Sequence, residues 1–296
     1  MTLNTQLKNA DEIKAILKSI PIQFDLEDGR PINTLIAYLP CHQDSQSSHI
    51  EFFECVKEGI LYNYVFSCTE VEKRLGLASQ IEKEQLLNKA IRKISKHTAK
   101  GELGEMILFT LLDVYLRAPK LLSKVAMKTS ARMPVYGADA VHGQFFDGEL
   151  RLYLGESKLH ATYKSAASNA VTSIKNAISD YTQELDLIES FLDFPNLDAK
   201  LAENILHTLN PYNPIDIEDR IHSPCFIGFS QPDILFSDES EYISKYSEIA
   251  KEYVRDFFSK AENKGLNIEA LTLLLLPFKC VTELTEEFIS YIGVSK

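Results

Sequence analysis

Three charged residues carry the strongest chemical signal in this sequence: Asp139 in GADAVH, and Glu156 and Lys158 in LYLGESKLH. Both segments alternate like strands, and Asp147-Gly148 between them is a short-turn signal for a hairpin. A two-residue turn at that point places Asp139 directly across from Glu156. Alternate residues of a strand share a face, so Glu156 and Lys158 point one way and Ser157 the other. Their neighbours Leu152, Leu154 and Leu159 are apolar, which argues against an exposed ladder of salt bridges. Two carboxylates this close repel unless a cation lies between them or one takes a proton. Hard oxygen ligands suit Mg²⁺ or Mn²⁺, with a substrate phosphate completing the shell. A neighbouring lysine orients or deprotonates an attacking water and neutralises charge developing on phosphorus. This is the residue set of metal-dependent phosphodiester hydrolysis.

The elements that must position these residues follow from Gly101 onward. Residues 102–116 have apolar positions at helical spacing, and Pro119 ends that run. A weak strand at 122–128 precedes the hairpin of 138–146 and 150–159. Residues 163–192 read as one long helix and 196–209 as another. A buried strand at 225–229, an amphipathic helix at 238–260, a second buried strand at 271–276 and a closing helix at 283–292 complete the chain. The fold class is α/β, a mixed sheet flanked by helices. Residues 1–80 read as a small N-terminal α+β module, with a helix at 11–20 and extended pieces near 22–26 and 34–39. A break at 76–79 and a charged helical run over 80–100 set the boundary of a second domain, 81–296.

The formal charge of −11 alone argues against adhesion to nucleic acid, but its distribution is uneven. Residues 85–179 hold 14 Lys and Arg against 7 acids, or +7, leaving 17 bases and 35 acids, or −18, elsewhere. A basic centre within an acidic shell attracts a polyanion locally while resisting non-specific binding. No acid occurs between Asp113 and Asp139, only Arg117, Lys120, Lys124, Lys128 and Arg132. Lys124, Lys128 and Arg132 are therefore the expected DNA contacts. His160 and Lys164, on the active strand face and in the next helix turn, join them; the bland alternative is a solvated basic face and a polar first turn that caps the helix. The five cysteines (41, 55, 68, 225, 280) form no CxxC and no even framework, so free thiols in a reducing cytoplasm are expected. No apolar run approaches the roughly 18 residues of a membrane span, and the first residues are polar, unlike an export signal.

Asp139 followed by Glu156-Ser157-Lys158 resembles the D…(D/E)-x-K signature of the PD-(D/E)XK nuclease superfamily. Its core of helix, three strands, helix and strand is similar to the order read from Gly101. The sequence departs from the pattern in having Ala138, not proline, before Asp139. The superfamily's first core helix commonly contributes a glutamate, which the resemblance assigns to Glu105 or Glu102 in Gly-Glu-Leu-Gly-Glu. Glu105 is favoured because a glycine-glutamate pair resembles the usual pattern. The metal set implied is Asp139, Glu156 and Glu105. More closely, GELGEMILFTLL, PKLLSKVAMKT, MPVYGADAVHG and DGELRLYLGESKLH resemble the nuclease subunit of the Hachiman antiphage defence system, strongly over residues 100–180. That resemblance implies a DNase effector restrained and activated by a superfamily-2 helicase, as a heterodimer. The residues alone leave open an inactive nuclease fold that binds DNA or regulates the helicase, and an RNase.

Overall fold

The computed structural model describes residues 2–40, 47–75, 80–128, 137–192, 199–210, 217–234 and 238–294. Its strands are β1 (Lys18–Ile20), β2 (Phe24–Asp25), β3 (Pro31–Tyr38), β4 (Lys120–Leu122), β5 (Ala140–Phe146), β6 (Glu149–His160), β7 (Ile221–Ser230) and β8 (Leu271–Phe278). They form one eight-stranded sheet in the order β1-β3-β8-β7-β6-β5-β4, with β2 beside β3. The four central strands β3, β8, β7 and β6 are parallel. At the edges β4, β5 and β1 run antiparallel to their neighbours. β8 is apolar at almost every position because both of its faces are covered, as in the middle of a parallel sheet.

The helices are α1 (Ala10–Ile16), α2 (Ser47–Cys55), α3 (Leu61–Val65), α4 (Cys68–Leu75), α5 (Gln80–Ile91), α6 (Ala99–Val114), α7 (Tyr163–Ser179), α8 (Tyr181–Phe191), α9 (Ala199–Leu209), α10 (Glu239–Asn263) and α11 (Val281–Ile292). Alternation along the strands assigns them to layers. Phe226 and Leu274 point to a core shared with Leu103 and Ile107 of α6 and Phe288 of α11. Cys225, Ile227 and Phe229 point to the other side, against Ala166 and Ala170 of α7 and Val254 and Phe257 of α10. A third cluster closes the β4–β6 end, where Val141, Leu152 and Leu154 meet Leu185 and Ile188 of α8. The result is a mixed sheet between two helical layers. No helix among the described residues is long and apolar enough to cross a membrane.

The order α6, β4, β5, β6, α7 and later β7 matches the helix–three strands–helix–strand expectation, with α8 and α9 inserted before β7. Several boundaries differ from the sequence reading. The strand expected over 122–128 ends at Leu122, because Ser123 turns the chain: its hydroxyl donates to the Tyr64 and Val65 carbonyls and accepts from the Ala126 N–H. The single helix expected over 163–192 is two, broken at Asp180. The first eighty residues share the sheet with the rest, since β3 pairs along β8 from Asn33–Thr272 to Ile36–Leu275. The sheet therefore crosses the boundary expected near residue 80. The hairpin register agrees with the sequence reading, with Ala140 opposite Gly155 and Phe146 opposite Glu149. Asp147 (φ 51°) and Gly148 (φ 85°) both take the positive φ that a two-residue hairpin turn requires.

Candidate active site

Asp139 lies immediately before β5 rather than within it, at the end of the hairpin far from its turn. Its Oδ2 accepts a 2.8 Å hydrogen bond from the Ser157 N–H, which ties it to β6 between Glu156 and Lys158. Glu156 and Lys158 share a strand face as their spacing requires, and their charged ends are in direct contact. Ser157 faces the other way, onto α6. There a Cβ at Gly104 would lie 2.6 Å from Ser157 Oγ, so only glycine lets the helix come this close to the strand.

The electrostatics of the group are those of carboxylates short of counter-charge. Burial, and then the charge of Asp139, push the Glu156 carboxyl up to about 7 despite Lys158. Burial and Asp139 likewise push Glu105 of α6 up to about 7. Asp139 is itself raised by burial, against the opposing pull of the Ser157 N–H and the Lys158 and Lys124 amines. Burial pulls the Lys158 ammonium down, but Glu156 and Asp139 outweigh it and leave it above its ordinary value. Glu105 of α6 and Glu156 of β6 thus both feel the charge of Asp139.

The two glutamates of α6 have different surroundings. Glu105 accepts a 2.6 Å hydrogen bond from the hydroxyl of Tyr64, while Glu102, 1% exposed, pairs with Lys128 at 2.7 Å. Glu105 is the one raised by the charge of Asp139. Among the described residues no group of three or more His, Cys, Asp or Glu side chains is arranged to hold an ion. Tyr64 holds Glu105 from the helical layer, and the Lys158 ammonium supplies the positive charge at Glu156.

The expected DNA contacts separate into three groups. Lys124 and Lys128 do not stand on a solvated basic face, because each is spent on a buried carboxylate. Lys124 bonds Glu184 at 2.8 Å, and the same Glu184 oxygen accepts from the Ala138 N–H at 2.9 Å, next to Asp139. Lys164 is exposed and His160 half-buried, and Arg132 lies outside the described residues. His142 is buried on the far face, bonded to the Ala118 carbonyl and pushed down to about 3 by burial, which keeps it neutral and structural. Tyr64, Glu184 and the bracing role of Lys124 escaped the sequence reading. One signal for Glu184 was present: it falls on the apolar stripe of α8 with Tyr181, Leu185 and Ile188, and an acid on a buried stripe demands a cation.

Compared with known families, the chain matches the model of the family described as HamA over residues 14–292. The chain belongs to the HamA family. HamA is a component of the Hachiman antiphage defence system, and this membership gives the chain a role in antiphage defence. The matched span extends well to either side of the Asp139–Lys158 hairpin, including β3 and Tyr64. No curated protein matches the chain.

Proposed function

We propose that this HamA-family chain is the nuclease of its defence system, a metal-dependent DNase of the PD-(D/E)XK type with little sequence preference. The observation that carries the reading is the cluster itself. Half-buried Asp139 and buried Glu156 lie beside each other, both carboxyls raised from their ordinary values, with one lysine ammonium against Glu156. Structural cores seldom retain two mutually repelling carboxylates, whereas sites that bind a cation and a phosphate need them. The donor set fits Mg²⁺ or Mn²⁺, which is commonly held by one or two carboxylates with water and substrate phosphate supplying the rest. Asp139 and Glu156 would hold the ion; Glu105 adds negative field from α6. Bound there, the ion would polarise the phosphoryl oxygen and acidify an attacking water.

The remaining roles belong to the chain. The Ser157 N–H fixes Asp139 against β6, and burial keeps bulk water from weakening the local field. Lys158 stays protonated at neutral pH, so it acts as a hydrogen-bond donor that orients water and offsets charge on phosphorus, not as the base. No base-reading element emerges from these residues, and low sequence specificity follows. The acidic exterior and the Hachiman membership support control by a superfamily-2 helicase partner.

The alternative is a non-catalytic role in DNA binding or helicase regulation. Digestion decides between them. Supercoiled DNA, linear DNA and RNA are incubated with the full chain and Mg²⁺, Mn²⁺ or chelator, with and without the helicase. The expected result is metal-dependent loss of DNA. Loss of RNA instead would move the substrate class, and intact polymers in every lane would leave the non-catalytic role.

A further inference from the structure

Beside the carboxylates, a cleft of about 270 Å³ opens between the first turn of α6 and the end of β6. It is lined by Lys100, Gly101, Ser157, Lys158, Leu159 and His160. Lys100 is exposed and forms no ion pair among the described residues. Burial, then the Lys100 and Lys158 amines, hold the His160 ring below its ordinary value, so both amines lie near it. Ser157 Oγ is buried with no hydrogen-bond partner. A side chain at Gly101 would meet only Glu105, whose Oε1 lies 4.0 Å from where a Cβ would be, so backbone of the first helical turn faces the cleft bare. The first N–H groups of a helix have no partner inside it and carry partial positive charge. Two lysines, an imidazole and a bare helix turn thus surround one small polar space, with the Ser157 hydroxyl buried behind it against Gly104. Glu105, near the Gly101 backbone, accepts a hydrogen bond from Tyr64.

We infer that this cleft seats a second backbone phosphate of the substrate strand, next to the one attacked at Asp139 and Glu156, with Lys100 and His160 as its contacts. The inference rests on the nucleic-acid reading above and adds a register: Lys158 borders both positions, so the strand is held at two successive phosphates. Lys100 and His160 act on strand placement, not on the bond that breaks.

The test uses full-length chain carrying Glu156→Gln, so that the strand survives, and fluorescence anisotropy of a short labelled DNA. Lys100→Ala on that background should weaken binding severalfold and lower the salt slope by about one. Neutral methylphosphonates are then placed one position at a time. One position should cost the Lys100 protein most, and Lys100→Ala or His160→Gln should erase that cost there and nowhere else. Lys100 is exposed, so its removal leaves the fold intact, which thermal melting verifies. Unchanged affinity and slope, equal costs at every position, or no binding at all would each overturn the inference. Digestion by the unmutated chain is scored separately. Cutting without a Lys100 effect removes the phosphate seat alone; a position-specific Lys100 effect without cutting removes the nuclease reading and keeps the seat.

Discussion

Gly137 is the point where a single methyl group should do most damage to the site without replacing a charged residue. Its φ is +99°, and a Cβ there would fall 1.6 Å from Glu184 Oε1 and 2.6 Å from Lys124 Nζ. Those two side chains are 4% and 9% exposed and brace the segment that leads into Asp139. Gly137→Ala therefore combines left-handed strain with displacement of a buried ion pair. Gly148 is the matched control, at φ +85° in the hairpin turn with nothing within 4 Å of its Cβ position. Gly148→Ala should cost only the strain, roughly 1–2 kcal/mol. Gly137→Ala should cost a further 3–5 kcal/mol or so, the scale of a broken buried pair. In a chain of this length 1 kcal/mol moves the melting point by about 2 °C, so the two variants should melt about 6–10 °C apart. A shift of Asp139 by an ångström should also lower cleavage by about a hundredfold in the first variant only. Thermal unfolding by circular dichroism and plasmid digestion read both quantities. Glu184→Ala removes the colliding atoms, so the Gly137→Ala/Glu184→Ala double variant should fall short of the summed losses. Equal melting points for the two glycine variants, or strict additivity in the cycle, would refute the bracing of Asp139 by Glu184.

Three other predictions concern protons. Glu105 and Glu156 are pushed from 4.5 to about 7 in the folded chain, so the native state binds protons that the unfolded state releases. Their contribution is fully present below pH 4.5 and is lost as pH rises through about 7. With chelator, melting points across that window should include a downward component with rising pH that Glu156→Gln reduces. Mn²⁺ should raise the melting point more at pH 8 than at pH 6, because the ligands must first lose their protons. Equal stabilisation at both values would show that the ion binds elsewhere. Tyr64→Phe removes a hydrogen bond that lowers the Glu105 value, so Glu105 should titrate higher. The acid limb of the pH–rate profile should move to higher pH, with a stability loss of about 1–2 kcal/mol; an unmoved limb would separate Glu105 from the chemistry.

The hairpin is legible in the sequence because its information is local. Asp147-Gly148 fixes the turn, the period of two fixes the faces, and together they set the pairing from Ala140–Gly155 to Phe146–Glu149. The order of elements from α6 to β7 is legible for the same reason. What the sequence hides is held by distant partners. Tyr64–Glu105, Lys128–Glu102 and Lys124–Glu184 join residues 41, 26 and 60 positions apart, and no periodicity links them. The acid-free basic run reads as a DNA-binding face, yet Lys124 and Lys128 turn inward because Glu102 and Glu184 are buried and need counter-charge. β3 joins the sheet through β8 across more than two hundred residues, a parallel pairing that short alternating segments do not announce. The choice between Glu102 and Glu105 likewise depends on Tyr64, which lies on α3 in the N-terminal segment.

Hydrolysis at the β6 carboxylate–lysine pair is tested most directly by the double variant Glu156→Ala/Lys158→Ala. The two charges are removed together, so neither is left buried without its partner. The decisive assay is conversion of supercoiled plasmid in Mg²⁺ by equal amounts of double variant and unmutated chain, under conditions where the unmutated chain cuts, with melting curves to show that both are folded. The expected outcome is a folded variant that leaves the plasmid supercoiled. Plasmid nicked or linearised at an undiminished, Mg²⁺-dependent rate by that variant would place the chemistry elsewhere.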